Sequence, residues 1–255
     1  MRLFENLLDE SVSLHGHLCP GQVLGVRMAM LGCELVGIDE PTETRDLVVY
    51  VEIDRCATDA IQAVTGCRLG KRTLKYKDYG KLAATFLDLS TGRAYRVAAR
   101  DDSREGAHRY APEGSDKKTA QLRAYEVMPL DELFNVVPVI VEVPEQDMPG
   151  HPLSRVTCSA CGEGVNDRRE VFIDGRTLCR ACAEGPYYAR VTEQSVTTWN
   201  LDGRSKGRSD DHTGGGRSWV LGQWKDQGSV ITHQDTDGRR IQGSRGQALP
   251  ARSRR

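Results

Sequence analysis

Apolar positions in the first 143 residues alternate between a helical period and a strand period. Leu24, Met28, Leu31 and Leu35 recur at spacings of four, three and four, which predicts a helix over 20–36. Gly21, Gly25, Ala29 and Gly32 form a second stripe on it. Small side chains at that spacing admit another backbone: a sheet beneath the helix is the favoured neighbour, a helix across a dimer the alternative. The β-branched and aromatic run LVVYVEI predicts a strand over 47–53, and 57–65 reads as a short helix stopped by Gly66. Residues 82–89 and 94–99 flank Ser90-Thr91-Gly92-Arg93 and predict a hairpin. A helix over 116–127 and one turn over Asp131–Phe134 precede a last strand over 136–143, where Pro138 requires an edge position. Strands and helices in this mixed order predict an α+β fold, a mixed sheet with flanking helices.

The pattern breaks twice. Pro144 to Pro152 is rich in breakers and separates a core domain, 1–148, from a four-cysteine module, 149–192. From 193 to 255, Leu, Ile, Val and Phe supply only 8 of 63 residues. That is below the roughly 20% with which a chain buries a core, so this tail reads as disordered, although it holds Trp199, Trp219 and Trp224. Charge follows the same division. Residues 1–150 carry 18 basic and 24 acidic side chains, 151–192 carry 6 and 5, and 193–255 carry 11 and 7. No dense basic stripe precedes the tail, which disfavours nucleic acid as a partner without excluding it. No apolar run reaches the ~18 residues of a membrane helix, and the acidic opening MRLFENLLDE does not read as a secretory signal. A cytoplasmic location is expected. In that compartment eight cysteines point to metal ligands or reactive thiols, not disulfides.

Four of the cysteines have zinc-site spacing. Cys158-Ser-Ala-Cys161-Gly162 is a knuckle in which Gly162 lets the backbone turn both thiolates toward one ion. Seventeen residues later comes Cys179-Arg-Ala-Cys182, which suits a helix start, and Asp174-Gly175 between the pairs marks a hairpin. Knuckle, hairpin and second pair describe a treble-clef finger with a structural Zn2+ held by Cys158, Cys161, Cys179 and Cys182. Some 42 residues are too few for an apolar core alone, whereas zinc supplies on the order of 10–16 kcal/mol in small zinc peptides. Four thiolates leave no open position, so the role is structural.

His15-Gly-His17-Leu-Cys19-Pro20-Gly21 is the second candidate. In an extended segment His15, His17 and Cys19 point the same way. Pro20 suits a first helical position, which places Cys19 at an N-cap where the helix dipole favours its thiolate. Two imidazoles and a thiolate suit a transition metal, or a reactive thiol with a base beside it. The plain alternative is a capping cysteine between ordinary polar histidines. Cys56 lies just past the strand end, with Asp54 and Asp59 nearby. Core packing is favoured for Cys33 and Cys67, and solvated surface charge for Lys71 and Lys81.

Together, His15-Gly-His17-Leu-Cys19-Pro-Gly21, Cys56-Ala-Thr-Asp59-Ala-Ile-Gln with Gly66-Cys67, Gly70-Lys71, Asp78-Tyr-Gly80-Lys81 and the finger resemble the FmdE-like family of formylmethanofuran dehydrogenase proteins over roughly residues 5–190. The resemblance implies an α+β core with a C-terminal finger, an intertwined homodimer, and a cleft involving His17, Cys19 and Cys56, with His15 and Cys67 less securely placed. It points to a metal-binding accessory protein serving the subunits of a molybdenum or tungsten enzyme. It does not itself make the chain an enzyme. Two other readings stay open: a zinc-finger regulator or adaptor binding protein or nucleic acid, and a cysteine-dependent enzyme using Cys19 or Cys56 with His17 as base.

Overall fold

A computed structural model describes residues 2–189 and two short strands at 233–234 and 240–241. Helix α1 (Phe4–His15) is not expected from the sequence. Phe4, Leu7 and Leu8 turn inward on it, and so does Ser11, which is fully buried. That polar residue at an inward position masks the helical period. Helix α2 (Pro20–Val36) has the predicted bounds, with a proline in its first turn and Gly37 in the left-handed region, φ 84°, at its end. Helix α3 (Cys56–Thr65) starts one residue earlier than expected and stops at Gly66, φ 68°.

The small-residue stripe of α2 serves two neighbours within the chain. A Cβ on Gly21 would lie 2.9 Å from Cys56 Cβ, and one on Gly25 would lie 2.6 Å from Ala60 Cβ. These glycines therefore let α2 and α3 cross almost backbone to backbone. A Cβ on Gly32 would sit 2.2 Å from the Phe86 ring, which makes this end of the stripe the expected helix–sheet contact.

The sheet has five strands in the order β2-β1-β3-β4-β5: β1 (Leu47–Val51), β2 (Leu74–Tyr76), β3 (Ala83–Asp88), β4 (Ala94–Ala99) and β5 (Phe134–Pro138). β1 and β2 run parallel and the other pairs antiparallel, so the α+β fold with a mixed sheet stands. β3 is central and buried throughout. β2 is not expected from the sequence, since three residues carry too short a period to register. The last strand lies earlier than the 136–143 expected, because buried Phe134 anchors it and Pro138 ends it. Val139 N–H still donates to Ala94 O at 3.0 Å, but Ile140 is 94% exposed. Pro138 does sit on an edge strand. Past β1, buried Glu52 accepts two bonds of 2.7 Å from the Arg96 guanidinium on β4.

A short helix, α4 (Asp102–Gly106), leads through a 3-10 turn into α5 (Lys117–Val127). Asp116 caps α5 by accepting from Lys118 N at 2.9 Å and Thr119 N at 3.2 Å. The single turn α6 (Leu130–Leu133) delivers the chain to β5. Arg27 of α2 donates to Tyr125 O at 2.9 Å and Met128 O at 2.7 Å, closing the end of α5.

The cysteine module contains the hairpins β6 (Arg155–Thr157) with β7 (Gly164–Asn166) and β8 (Val171–Ile173) with β9 (Arg176–Leu178), then α7 (Arg180–Glu184). It is fastened to the core: Arg72 pairs with Asp167 at 2.9 Å, and Lys75 donates to Asp147 O, whose carboxylate pairs with Arg169. Residues 1–190 accordingly form one compact unit. The tail from 193, for which disorder is expected, lies outside the described residues except for an antiparallel pair, β10 (His233–Gln234) with β11 (Arg240–Ile241). Among the described residues no helix is long and apolar enough to cross a membrane.

Candidate metal centres

The four finger sulfurs, of Cys158, Cys161, Cys179 and Cys182, all lie within 4.8 Å of one another. Local backbone chemistry puts them there. Gly162 takes φ 77° and donates to Cys158 O at 2.9 Å, which closes the knuckle. Asp174 and Gly175, both at positive φ, turn β8 into β9. Cys179 caps α7, its Sγ accepting from Cys182 N at 3.4 Å. The backbone N–H groups of Cys161 and Cys179 pull the Cys158 thiol down to about 6, while hydrogen bonding with Cys179 and Cys161 pushes the Cys182 thiol up to about 12.

The second cluster comprises His15, His17 and Cys19, whose ligand atoms also lie within 4.8 Å of one another. α1 ends at His15 because Gly16 adopts φ 93°, and the chain reverses there into α2. The His15 and His17 rings approach to 4.6 Å between centroids, tilted by 40°. Cys19 is the N-cap residue of α2, but its side chain makes no capping bond. The sulfur is therefore not spent on the helix end.

Asp59 supplies what the sequence leaves unassigned. Its Oδ2 lies 2.8 Å from His15 Nδ1, across from α3. This fixes the imidazole with Nδ1 toward the carboxylate. Nε2 is buried and has no hydrogen-bond partner. A carboxylate behind one imidazole nitrogen and an orphaned buried nitrogen in front is how metal-ligating histidines are held. The donor set, two imidazoles and one thiolate, fits a borderline or soft transition metal such as zinc and leaves coordination positions open. His15, placed less securely than His17 by the resemblance, is thus the best oriented of the three.

Cys56 is the first residue of α3 and lies against the start of α2, where a Cβ on Gly21 would lie 2.9 Å from Cys56 Cβ and 3.7 Å from its Sγ. Burial and the Cys19 thiol push the Cys56 thiol up from its ordinary value. Its backbone is fixed by fully buried Gln22, whose Nε2 donates to Cys56 O at 2.6 Å while its Oε1 accepts from Ser11. Sequence reasoning does not single out Ser11 or Gln22, and only their inward helical positions mark them. Cys67 is elsewhere. It follows the far end of α3, about 15 Å along the helix from Cys56 at 1.5 Å per residue, and its Sγ lies 3.6 Å from Leu47 O. Cys33 is buried, which raises its thiol to about 12.

A roomy hollow lies away from this chemistry. A cavity of about 930 Å³ opens at the Cys67 end of α3, where Gly70, Lys71 and Arg72 face Met148–Gly150, and none of His15, His17, Cys19 or Cys56 lines it. The cluster is the stronger candidate, because oriented donors define a metal site and volume does not.

Fold and donors together describe an α+β domain followed by a four-cysteine zinc-finger region. Comparison with known proteins agrees. The family described as FmdE, molybdenum formylmethanofuran dehydrogenase operon, matches residues 14–135, and the prokaryotic dksA/traR C4-type zinc finger matches residues 152–188. The FmdE match falls on the α+β domain and the zinc-finger match on the four-cysteine module behind it. A curated relative from Archaeoglobus fulgidus, described as a probable S-adenosyl-L-methionine-binding protein, is 32% identical over 203 residues, which are 72% of this chain. The chain spans only 54% of that relative's length. A crystal structure of a tungsten formylmethanofuran dehydrogenase FmdE-like protein from Syntrophus aciditrophicus shares the fold, with a TM-score of 0.51 and 21% identity. That likeness covers 73% of this chain and 95% of that one.

Proposed function

We propose that this protein is a metal-binding accessory protein with two metal centres: a structural zinc in the finger, and an exchangeable transition-metal site at His15, His17 and Cys19, with Cys56 at its margin and Asp59 behind His15. The observation that carries the second site is the buried, unpartnered Nε2 of His15, set by Asp59 and grouped with two further donors. Three protein ligands leave room for a small exogenous ligand, as closed structural sites do not. The molybdenum or tungsten enzyme system named for the matching family and for the Syntrophus aciditrophicus protein supports a partner of that kind. S-adenosylmethionine binding stays with the relative, because the shared stretch is about half of it.

Elemental analysis of anaerobically purified full-length chain tests the reading. Two metals per chain in the wild type, falling to one in Cys19→Ser while the finger zinc stays, is the expected result. One zinc per chain under metal-replete conditions, lost only in Cys158→Ser, overturns it. Isolation of the chain from its own host in stoichiometric complex with a protein containing molybdenum or tungsten is expected for the partner, and a chain that purifies alone contradicts that part.

A further inference from the structure

Two buried polar side chains lie in the seam between the helices that carry the core cluster. Ser11 on α1 and Gln22 on α2 are both fully buried. Ser11 Oγ donates to Gln22 Oε1, and Gln22 Nε2 donates to Cys56 O of α3 at 2.6 Å. A carbonyl can only accept, so the amide has one orientation and the hydroxyl is the donor to its oxygen. This chain of bonds joins three helices, each of which also carries a residue of the core site or its support. On all three the two residues are about one turn apart: Ser11 and His15 on α1, the N-cap Cys19 and Gln22 on α2, Cys56 and Asp59 on α3. A slip at the bonded residues is passed on to the cluster over only about 4.5–6 Å of helix.

An apolar pair at 11 and 22 would fill this seam without the desolvation that a buried hydroxyl and amide incur. What an apolar pair lacks is direction. Helices α2 and α3 cross on Gly21 and Gly25, where a Cβ would meet Cys56 Cβ at 2.9 Å and Ala60 Cβ at 2.6 Å. Glycines let the backbones approach, but they supply no ridge that locks one helix along the other. Directed hydrogen bonds supply that lock. We infer that Gln22, anchored by Ser11, is a positioning residue for the core site. It sets α3 against α2 and α1 so that Asp59 Oδ2 meets His15 Nδ1 at 2.8 Å. Its effect on metal affinity rests on the metal site proposed above; its effect on the orientation of the His15 ring does not.

The test compares full-length wild type with Gln22→Met, which keeps much of the side-chain length but cannot donate to Cys56 O. Thr65→Val is the control. It removes another buried hydroxyl of α3, whose bond to Ile61 O at 2.6 Å lies at the far end of the helix. Nitrogen-15 spectra of histidine-labelled chain read the His15 tautomer, assigned with His15→Asn. They are recorded with the finger zinc in place, the core site metal-free and the pH well above the imidazole range. In wild type and Thr65→Val, His15 is expected as the Nδ1–H form alone, because the Asp59 carboxylate accepts there. In Gln22→Met the Nε2–H form is expected beside it. Chelator competition is expected to show core-site affinity about tenfold lower in Gln22→Met and unchanged in Thr65→Val. Adding Asp59→Asn to Gln22→Met is expected to cost less than Asp59→Asn costs in wild type. Ser11→Ala is expected to move both readouts the same way by a smaller amount. A lone Nδ1–H form in Gln22→Met, or an equal shift in Thr65→Val, overturns the inference. If Gln22→Met does not fold, a wild-type tautomer in Ser11→Ala overturns it instead. A wild type that takes up no core metal overturns the metal reading alone, and the tautomer then decides the role of Gln22.

Discussion

Asp59→Asn is the substitution that isolates the orienting carboxylate. In the wild type, Asp59 Oδ2 receives His15 Nδ1 at 2.8 Å, and its other oxygen lies 3.4 Å from Gln62 Nε2. The asparagine keeps the size and an oxygen acceptor but removes the charge that makes the imidazole a better donor to metal. Loss of such an outer partner costs 10–100-fold in metal affinity, about 1.4–2.7 kcal/mol. The Asp59 side chain is 41% exposed and His15 15%, so solvent screens much of the charge. The expectation therefore falls at the lower end, about tenfold. Asp59→Ala also frees the ring to rotate and lies toward the upper end. Competition with a chromophoric chelator, on chain whose finger zinc is already loaded, reads the core site alone. Equal affinity in wild type, Asp59→Asn and Asp59→Ala would refute the argument, because it means His15 either needs no orientation or binds nothing.

Gly25→Ala places a methyl 2.6 Å from Ala60 Cβ and 2.7 Å from the Ala57 backbone. Denaturant unfolding is expected to show a loss of about 1–3 kcal/mol, with weaker core-site metal binding because α3 carries Asp59 and Cys56. Asp88 is buried, which opposes its charge, but bonds from Thr91 Oγ1 at 2.6 Å and Ser90 Oγ at 2.8 Å prevail and hold its carboxyl below the usual value. A lowered folded value means the stabilisation is whole above the unfolded value near ~3.9 and is lost as pH falls through the folded one. Asp88→Asn is thus expected to destabilise by about 1 kcal/mol at neutral pH, and chemical denaturation across pH should show that difference closing in acid. Cys158→Ser, or strong chelation, is expected to raise amide exchange across 152–188 to unfolded rates while β3 and β4 stay protected. Protection of the finger without metal would contradict a zinc-held fold.

How far the residues disclosed all this depended on whether one element carried the whole signal. Helix α2 was legible to the residue because its apolar period, its proline and its terminal glycine agree. The finger was legible because two cysteine pairs and a turn pair fix its geometry with little help from distant residues. Helix α1 was hidden because Ser11 faces inward, a choice that makes sense only once Gln22 and the Cys56 carbonyl lie opposite. The Asp59–His15 pair joins residues 44 apart and depends on how the end of α1 packs against α3. The small-residue stripe recorded that a close neighbour exists, but not that it is a helix of the same chain at one end and Phe86 at the other. Cys67 shares a motif with Cys56, yet α3 carries it to the opposite end.

The most direct measurement is a crystal structure of the metal-loaded full chain with anomalous diffraction recorded at the absorption edge of the bound metal. Two anomalous peaks are expected, one among the four finger sulfurs and one within bonding distance, roughly 2.0–2.3 Å, of His15 Nε2, His17 and Cys19. A single peak in the finger, with His15 Nε2 instead meeting an ordered water or a protein group, would contradict it.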